Sequence, residues 1–263
     1  MSNADRGVHK DLMGKSYTIV FVCDTHLTYV SDPSQLHPAM RLVWKFITNY
    51  RPEVVIIGGD YLDMTPVSPH AMKAKNHKEL ETARLQKDYN LGRALLEQIR
   101  PRVVDMKFLE GNHEFWIERF LETYPQFTGM LEVKTGLGLD ALDIQFYGVN
   151  TVLSYGKLNF THGWYTNKYH ARKHLDEMGD HIIYGHTHDH QKHAKPVRAS
   201  RAPYLAMSMG CLCNLNPYYM RNRPSNWLHG FGLIEVETTG NFAAHFIPII
   251  DKSFIWDRFQ WRL

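Results

Sequence analysis

Five short apolar runs, each followed by turn-forming or polar residues, constrain the fold of this 263-residue chain more than any other feature. They are Tyr17–Cys23, Val54–Ile57, Met106–Leu109, Leu158–Phe160 and His181–Tyr184. Each run is almost continuously apolar, whereas a strand with one face in solvent alternates apolar and polar residues. The pattern therefore predicts strands that are buried on both faces, in sheets covered by other layers.

Segments with helical periodicity separate several of these runs, and further strands follow them. The predicted helices are Pro38–Tyr50, Glu79–Ile99 and Tyr165–Met178. The predicted later strands are Ala202–Met209, Phe231–Val236 and Phe242–Ile249. Early alternation of strands and helices, followed by more strands, predicts an α/β layered fold with two packed sheets flanked by helices.

Composition limits the classes of protein to which the chain can belong. A hydrophobic fraction of 44% supports a large core, and a net charge of +3 gives no strong basic field for bulk nucleic-acid binding. The polar N-terminus lacks a signal-peptide pattern, and the apolar runs are far shorter than the ~20 residues of a membrane span. We therefore expect a soluble, cytoplasmic protein with no membrane partner. We expect one domain over residues 1–263, with residues 1–15 as a polar tail and residues 64–102 as a longer insert.

The three cysteines, Cys23, Cys211 and Cys213, are too few for a disulfide framework and agree with a reducing compartment. Cys211 and Cys213 are spaced closely enough to form a metal-binding pair, but the chain has no second pair. Ordinary packing of small apolar side chains is the favoured interpretation.

Polar residues that can bind metal ions follow all five buried runs. They are Asp24 and His26, then Asp60 and Asp63, then Asn112, His113 and Glu114, then His162, and finally His186 and His188. The carboxyl ends of strands are where α/β sheets build their sites, and buried carboxylates or imidazoles there are costly without a partner. The mixture of oxygen and imidazole ligands predicts a manganese, iron or zinc site and argues against a thiolate-rich structural zinc site.

The series D-x-H, G-D-x-x-D, G-N-H-E, H-G and G-H-x-H, over residues 24 to 188, resembles the motifs of the calcineurin-like metallophosphoesterases. The resemblance implies a four-layer α/β/β/α sandwich of two mixed sheets, with a two-metal centre at one edge. It assigns the first metal ion to Asp24, His26, Asp60 and His188. It assigns the second to Asp60, Asn112, His162 and His186, so that Asp60 bridges the two ions. It also places His113 beside the leaving oxygen and gives Asp63 the role of orienting His113.

The chemistry of such a centre agrees with these residue types. Two divalent cations clamp a phosphoryl group and lower the pKa of a shared water towards neutrality, so that a bridging hydroxide attacks phosphorus. An imidazole beside the leaving group supplies a proton, and a neighbouring carboxylate fixes its tautomer. Manganese is the favoured cofactor, while iron, zinc, nickel and magnesium stay open because their sites share these ligand types.

Departures from the protein-phosphatase pattern bear on the substrate. Where those enzymes carry phosphate-binding arginines, this chain has Met64 and Thr65 after Asp63, and Glu110 before Gly111. A carboxylate there would repel a phosphomonoester dianion, so we predict a phosphodiesterase, similar to the nuclease-like branch of small phage and bacterial enzymes. The alternatives are a phosphomonoesterase or pyrophosphohydrolase acting on a small metabolite and, third, a catalytically silent metal-bound scaffold.

Two segments that mix aromatic and basic residues suit a nucleic-acid or nucleotide substrate. They supply Trp164, Lys168 and Arg172 in the first segment, and Tyr218, Arg221, Arg223 and Trp227 in the second. The competing interpretation, a solvated helix and a surface loop with ordinary packing aromatics, is slightly favoured for each segment taken alone.

The sequence leaves other points open. Residues 65–79 form either a lid or oligomer contact, or a surface loop that leads into a helix. The aromatic C-terminus SFIWDRFQWRL docks either on its own core or on a partner chain, so no oligomeric state is predicted. His181, His190 and His193 match no motif and are interpreted as packed, rim or solvated residues.

Overall fold

The fold is that of a computed structural model, which describes residues 6–73, 84–196, 203–217 and 220–263. The strands are β1 (Tyr17–Val22), β2 (Val54–Ile57), β3 (Asp105–Leu109), β4 (Gln145–Tyr147), β5 (Leu153–Tyr155), β6 (Leu158–Thr161), β7 (Ile182–Tyr184), β8 (Lys192–Pro196), β9 (Pro203–Ser208), β10 (Gly230–Val236), β11 (Phe242–Pro248), β12 (Ser253–Trp256) and β13 (Phe259–Arg262). The α-helices are α1 (Pro38–Tyr50), α2 (Pro69–Lys73), α3 (Leu85–Ile99), α4 (Asn112–Thr123), α5 (Val133–Gly136) and α6 (His170–Met178). Short 3-10 turns include Lys10–Leu12, Pro33–Gln35, Thr65–Val67, Arg100–Arg102 and Pro125–Phe127.

Two mixed sheets lie at the centre of the fold. In the first sheet the strand order is β11–β10–β1–β2–β3–β4, with β1 to β4 parallel and β10 and β11 antiparallel to their neighbours. In the second sheet the order is β5–β6–β7–β9–β8, with parallel β6, β7 and β9 between antiparallel edge strands. A separate hairpin, β12–β13, follows.

The inner faces of the two sheets share one apolar core. Ile19 and Phe21 of β1 point into it, whereas Val20 and Val22 point to the opposite face of the sheet, as the alternation of a strand requires. Phe21 stacks on Phe160 of β6, with ring centroids 5.7 Å apart. The near-continuous apolar runs in the sequence reflect this burial on both faces.

Helices cover the outer face of each sheet. Side chains of α1, α3 and α4 pack with Val20, Val22 and other outward residues of the first sheet in a second core. On the second sheet, Ala171 and Leu175 of α6 pack against β7 and β9. The predicted α/β fold of two mixed sheets flanked by helices is therefore confirmed.

Helix α1 has the predicted bounds because local signals set both of its ends. Pro38 occupies the first helical position, and Nδ1 of His37 accepts a hydrogen bond from the amide of Ala39 at 3.3 Å. The helix ends at Tyr50, and the next residue, Arg51, has a left-handed φ of 57°.

Other elements differ from the sequence prediction. Helix α6 begins at His170, five residues after the predicted start, because the amide of Trp164 donates to Nε2 of His174 at 2.9 Å and folds the preceding segment onto the helix. Helix α4 was not predicted, since it begins inside the G-N-H-E motif. Residues 85–99 of the predicted helix Glu79–Ile99 form α3, and residues 74–83 lie outside the described part of the chain.

Both ends of the described chain pack on the body of the fold. Val8 and Leu12, in the segment expected to be a polar tail, are buried in the core between the sheets. At the C-terminus, Phe254 and Trp261 of the hairpin contact the ring of Phe46 on α1, with centroids 5.2 and 4.8 Å away. The aromatic C-terminus thus docks on its own core. Among the described residues, the helices are too short or too polar to cross a bilayer.

Phe46 should be a main anchor of the C-terminal hairpin, because its buried ring contacts Phe231, Phe254 and Trp261. We expect Phe46→Ala to lower the free energy of unfolding by about 3–5 kcal/mol, the usual cost of removing a buried aromatic ring. Urea unfolding followed by circular dichroism measures this loss. Ile255→Ala is the control, since Ile255 in the same hairpin is 71% exposed. Equal unfolding midpoints for the two variants would contradict the role of Phe46.

Candidate metal centre

The predicted metal-binding residues lie at one edge of the sandwich, where strands of both sheets end. In the first sheet, parallel strands β1, β2 and β3 run directly into the segments that carry Asp24, Asp60 and Asn112. In the second sheet, β6 and β7 run into the segments that carry His162 and His186. Because neighbouring parallel strands end at the same edge, each sheet gathers its polar residues there.

Most of these residues adopt a backbone conformation that is unusual for side chains other than glycine. The φ angles are 52° at Asp24, 43° at His26, 47° at Asp60, 70° at His186 and 59° at His188. Left-handed non-glycine residues of this kind cost about 1–3 kcal/mol each and cluster at functional sites. The chain turns sharply after each strand, and the segment from His186 to His188 is bent.

The first group of candidate ligands consists of Asp24, His26, Asp60 and His188. Oδ1 of Asp24 lies 3.1 Å from Nε2 of His188, and the Nε2 atoms of His26 and His188 are 3.2 Å apart. Nε2 of His26 is 3.7 Å from Oδ2 of Asp60. The imidazole nitrogens and carboxylate oxygens therefore converge on one point.

The second group consists of Asp60, His162 and His186, and Asn112 adjoins it. Nε2 of His162 lies 3.4 Å from Oδ2 of Asp60 and 3.1 Å from Oδ1 of Asn112. Asp60 belongs to both groups, as the bridging role that the sequence predicts for it requires.

The first group fits a divalent cation better than it fits a hydrogen-bonded cluster. Oδ1 of Asp24 is buried and has no hydrogen-bond partner among the described residues, although Nε2 of His188 faces it. Donor atoms about 3 Å apart are spaced as ligands of one ion with bonds of about 2.1 Å would be. Asp, Asn and His together supply the hard oxygen and imidazole donors that manganese, iron and zinc accept.

The outward nitrogens of two candidate ligands, His26 and His162, each have an oxygen acceptor, which fixes the tautomers of these rings. Nδ1 of His26 donates to Oδ1 of Asp63 at 3.2 Å, and Nδ1 of His162 donates to the carbonyl of Gly58 at 2.9 Å. Nδ1 of His188 lies 3.9 Å from Sγ of Cys213. With Nδ1 protonated, the lone pair on Nε2 points into the site, as metal-binding histidines require.

His113 lies beside the two groups. Its Nδ1 donates to the backbone carbonyl of Asp63 at 2.8 Å, and its Nε2 is 3.9 Å from Oδ2 of Asp60. Its ring packs on Trp116, with centroids 3.9 Å apart. Burial lowers the pKa of His113, and Asp60 opposes that effect only in part.

Asp63 contacts the imidazole of His26 mainly through its carboxylate and that of His113 mainly through its backbone carbonyl. Its carboxylate oxygen Oδ1 is 3.2 Å from Nδ1 of His26 and 3.7 Å from Nδ1 of His113. The closer contact is thus with His26, whereas the sequence analysis paired this side chain with His113. The backbone carbonyl, not the carboxylate, makes the short contact with His113.

Glu114 has a structural role that the sequence analysis did not assign. Its buried carboxylate accepts hydrogen bonds from the amides of Asp60 (2.9 Å), Leu62 (2.7 Å) and Gly111 (3.0 Å). Burial and then the charge of Asp60 raise its pKa to about 7. Glu114 is the third residue of α4, three residues after Gly111, which is the position of the glutamate in a capping box. This spacing is the sequence signal that predicts such a role.

Glu110 does not occupy the place that the sequence analysis expected. Its carboxylate accepts a hydrogen bond from the amide of Val149 at 2.8 Å. The side chain lines a hollow with Ile117 and Phe146, and no predicted metal ligand lines that hollow. Burial and then Glu118 raise its pKa to about 8. Repulsion between Glu110 and a substrate phosphate therefore has no support in the structure.

The predicted substrate-contact residues are mostly exposed. Trp164 is half-buried and stacks on His174, Lys168 lies over the ring of Tyr169, and Arg172 pairs with Asp176. Arg221 and Arg223 are exposed, and Tyr218 lies outside the described residues.

Of three histidines outside the motifs, two are packed and the third is half-buried on an edge strand. His190 stacks on Phe246, His181 contacts Tyr204, and His193 lies on edge strand β8.

If Asp60 serves both groups, removing its charge should weaken both sites. We expect Asp60→Asn to bind less than one Mn²⁺ per chain under conditions where the unchanged protein binds two. Metal analysis after equilibrium dialysis measures the stoichiometry. Asp251→Asn, in an exposed turn, is the control and should leave binding unchanged. Retention of two ions by Asp60→Asn would contradict the shared role.

A family profile matches this chain, and solved structures of other proteins are similar to it at low sequence identity. The family profile described as calcineurin-like phosphoesterase matches residues 17–190. No curated protein sequence matches the chain significantly. Among solved structures, Vps29 from Chaetomium thermophilum is similar at 10% identity and a TM-score of 0.40, over 87% of this chain and 96% of that one. TT1561 from Thermus thermophilus is similar at 7% identity and a TM-score of 0.35, over 88% of this chain and 99% of that one. The profile match covers most of the chain and all of the candidate ligands, and the chain belongs to the calcineurin-like phosphoesterase family.

Proposed function

We propose that the protein is a dinuclear metal-dependent phosphohydrolase that prefers phosphodiesters. The observation that carries the proposal is the position of Asp60, which is shared by two groups of candidate ligands and lies 3.9 Å from the imidazole of His113. In this proposal Asp24, His26, Asp60 and His188 hold one ion, and Asp60, Asn112, His162 and His186 hold the other.

The two cations, when bound, supply Lewis-acid activation of the phosphoryl group and of the attacking water. The residues of the chain orient these groups and handle the remaining proton. His113 donates Nδ1–H to the Asp63 carbonyl, and in its imidazolium form it carries a second proton on Nε2, which passes to the leaving oxygen as the P–O bond breaks. Burial lowers the pKa of His113, so the imidazolium form gives up this proton readily and the ring is left neutral. Asp63 holds His26 with its carboxylate and His113 with its carbonyl.

The preference for diesters rests on the absence of basic side chains after Asp63. Met64 is buried, and the hydroxyl of Thr65 donates to the Asp63 carboxylate, so neither position supplies a cation for a monoester dianion. A diester carries one negative charge and requires fewer cationic contacts. Glu110 no longer contributes to this preference, which keeps a phosphomonoesterase or pyrophosphohydrolase as the second candidate.

The finer parts of the proposal follow from residue chemistry. Manganese is the favoured ion because carboxylate, amide and imidazole donors make up the site. Trp164, Lys168, Arg172, Arg221 and Arg223 are the proposed contacts for a nucleic acid or nucleotide, in a nuclease-like role. A cytoplasmic location agrees with three cysteines that are all buried and free of disulfides.

An assay of paired substrates tests the proposal. Purified protein reconstituted with Mn²⁺ should hydrolyse an aryl phosphodiester faster than the matching monoester, and removal of the metal should abolish both activities. His113→Ala should lower kcat for the diester by about 10²–10⁴-fold, the usual contribution of a positioned proton donor. Its metal content should be unchanged.

His193→Ala is the matched control, because His193 lies on the edge strand β8 and belongs to neither ligand group. Faster turnover of the monoester would overturn the diester preference. Equal turnover by His113→Ala and His193→Ala would overturn the role of His113.

A further inference from the structure

We infer that Asp189 is a positioning residue that fastens residues 220–228 to the metal centre and holds Trp227 against His188. The effect on turnover rests on the function proposed above, whereas the effect on geometry does not.

Asp189 directly follows a candidate ligand, but its carboxylate contacts a separate set of buried groups. The residue is 4% exposed. Nε2 of His170, itself 3% exposed, lies 3.0 Å from Oδ1 and 3.1 Å from Oδ2 of Asp189. Nδ1 of His170 is in turn 2.7 Å from the hydroxyl of Tyr184 on β7. The contact between His170 and Asp189 thus joins the start of α6 to the segment that follows β7.

The same carboxylate holds the segment that precedes β10. Nδ2 of Asn226 donates to Oδ2 of Asp189 at 2.7 Å. Residues 221–226 are otherwise exposed, so this hydrogen bond is their attachment to the buried network. A second attachment follows two residues later, where the amide of Leu228 donates to the carbonyl of His188 at 2.8 Å.

Trp227 lies between these two attachments. Its ring centroid is 4.1 Å from that of His188, at an interplanar angle of 60°. The same imidazole has Nε2 at 3.1 Å from Oδ1 of Asp24 and at 3.2 Å from Nε2 of His26, and Nδ1 at 3.9 Å from Sγ of Cys213. A fixed Trp227 ring therefore limits the rotation of the His188 imidazole and sets the position of one side of the candidate metal centre.

The network also reaches the other segment proposed to contact substrate. Nε2 of Gln191 lies 3.4 Å from Oδ2 of Asp189 and donates to the carbonyl of Lys168 at 3.0 Å. One buried carboxylate thus connects the segments that carry Lys168 and Trp227. A buried carboxylate is costly without hydrogen-bond donors, and here Asn226 donates to Oδ2 and the hydroxyl of Ser208 donates to Oδ1 at 3.4 Å.

The experiment uses the full chain with Mn²⁺ as probe. Bound Mn²⁺ quenches nearby tryptophan fluorescence, and the part of the quench that disappears in Trp227→Phe belongs to Trp227. We expect Asn226→Ala to bind Mn²⁺ with unchanged stoichiometry but to lose most of the Trp227 quench. Loss of one charge-assisted hydrogen bond should raise KM for the aryl diester by about tenfold, while kcat stays nearly constant.

Asn216→Ala is the matched control, since Asn216 is exposed in the same stretch of chain and donates to Asn222 instead. It should behave as the unchanged protein in every measurement. Asp189→Asn should lose the Trp227 quench and also bind Mn²⁺ about 10–100-fold more weakly, as expected when a group behind a metal ligand is altered.

Asn226→Asp provides a second test, because it keeps the size of the side chain but removes the donor. An undiminished Trp227 quench in either Asn226 variant would overturn the proposal, and so would failure of both variants to fold, since that would show a purely structural role. If the Asn226 variants lose the quench as expected but the unchanged protein hydrolyses no ester, the proposed function is wrong and the positioning role stands.

Discussion

The carboxylate of Asp60 is buried where the two sheets meet, and three imidazoles surround it. Its Oδ2 lies 3.4 Å from Nε2 of His162, 3.7 Å from that of His26 and 3.9 Å from that of His113. Burial alone would raise the pKa of Asp60, but His162 and His113 outweigh it, and the pKa is well below its ordinary value. The group is therefore an anion, whose charge requires either protonated imidazoles or cations nearby. Cations satisfy this requirement while the imidazoles stay neutral, and the outward hydrogen bonds of His26 and His162 select the tautomer in which Nδ1 carries the proton and the lone pair of Nε2 faces the site.

The backbone around Asp60 is held against its own conformational preference. Asp60 has a left-handed φ of 47°, and its amide donates to the carboxylate of Glu114 at 2.9 Å. Glu114 also binds the amides of Leu62 and Gly111, so one side chain fixes the segments that follow β2 and β3. These hydrogen bonds hold Asp60 in the left-handed conformation despite its cost of about 1–3 kcal/mol.

The sequence predicts which polar residues follow the buried strands because the relevant signal is local. An apolar run followed at once by Asp24, or by His162, places a polar group at a strand end whatever the rest of the fold does. The groups that contact the outward nitrogens of His162 and His188 are not predictable in this way. The first is a backbone carbonyl, that of Gly58, and the second is Cys213, which is distant in sequence from His188.

The direction in which a side chain points cannot be predicted from such a pattern either. Glu110 adjoins the G-N-H-E motif and yet turns away from the ligands. The predicted start of α6 is wrong for a related reason. The backbone amide of Trp164 donates a hydrogen bond to the side chain of His174, which competes with helix formation, and hydrophobic periodicity does not register such bonds.

The centre depends on how closely the two sheets approach, since the first sheet supplies Asp24 and Asp60 while the second supplies His162 and His188. Gly185 lies at the point of contact, where an added Cβ would stand 2.6 Å from Oδ2 of Asp24. That oxygen accepts a hydrogen bond from the amide of His186 at 2.8 Å, which joins the sheets directly at the site. Packing of the shared core therefore sets the spacing of the ligands. A residue that changes the distance between the sheets would act on metal binding without touching a ligand, because the two halves of the site move with the sheets that carry them.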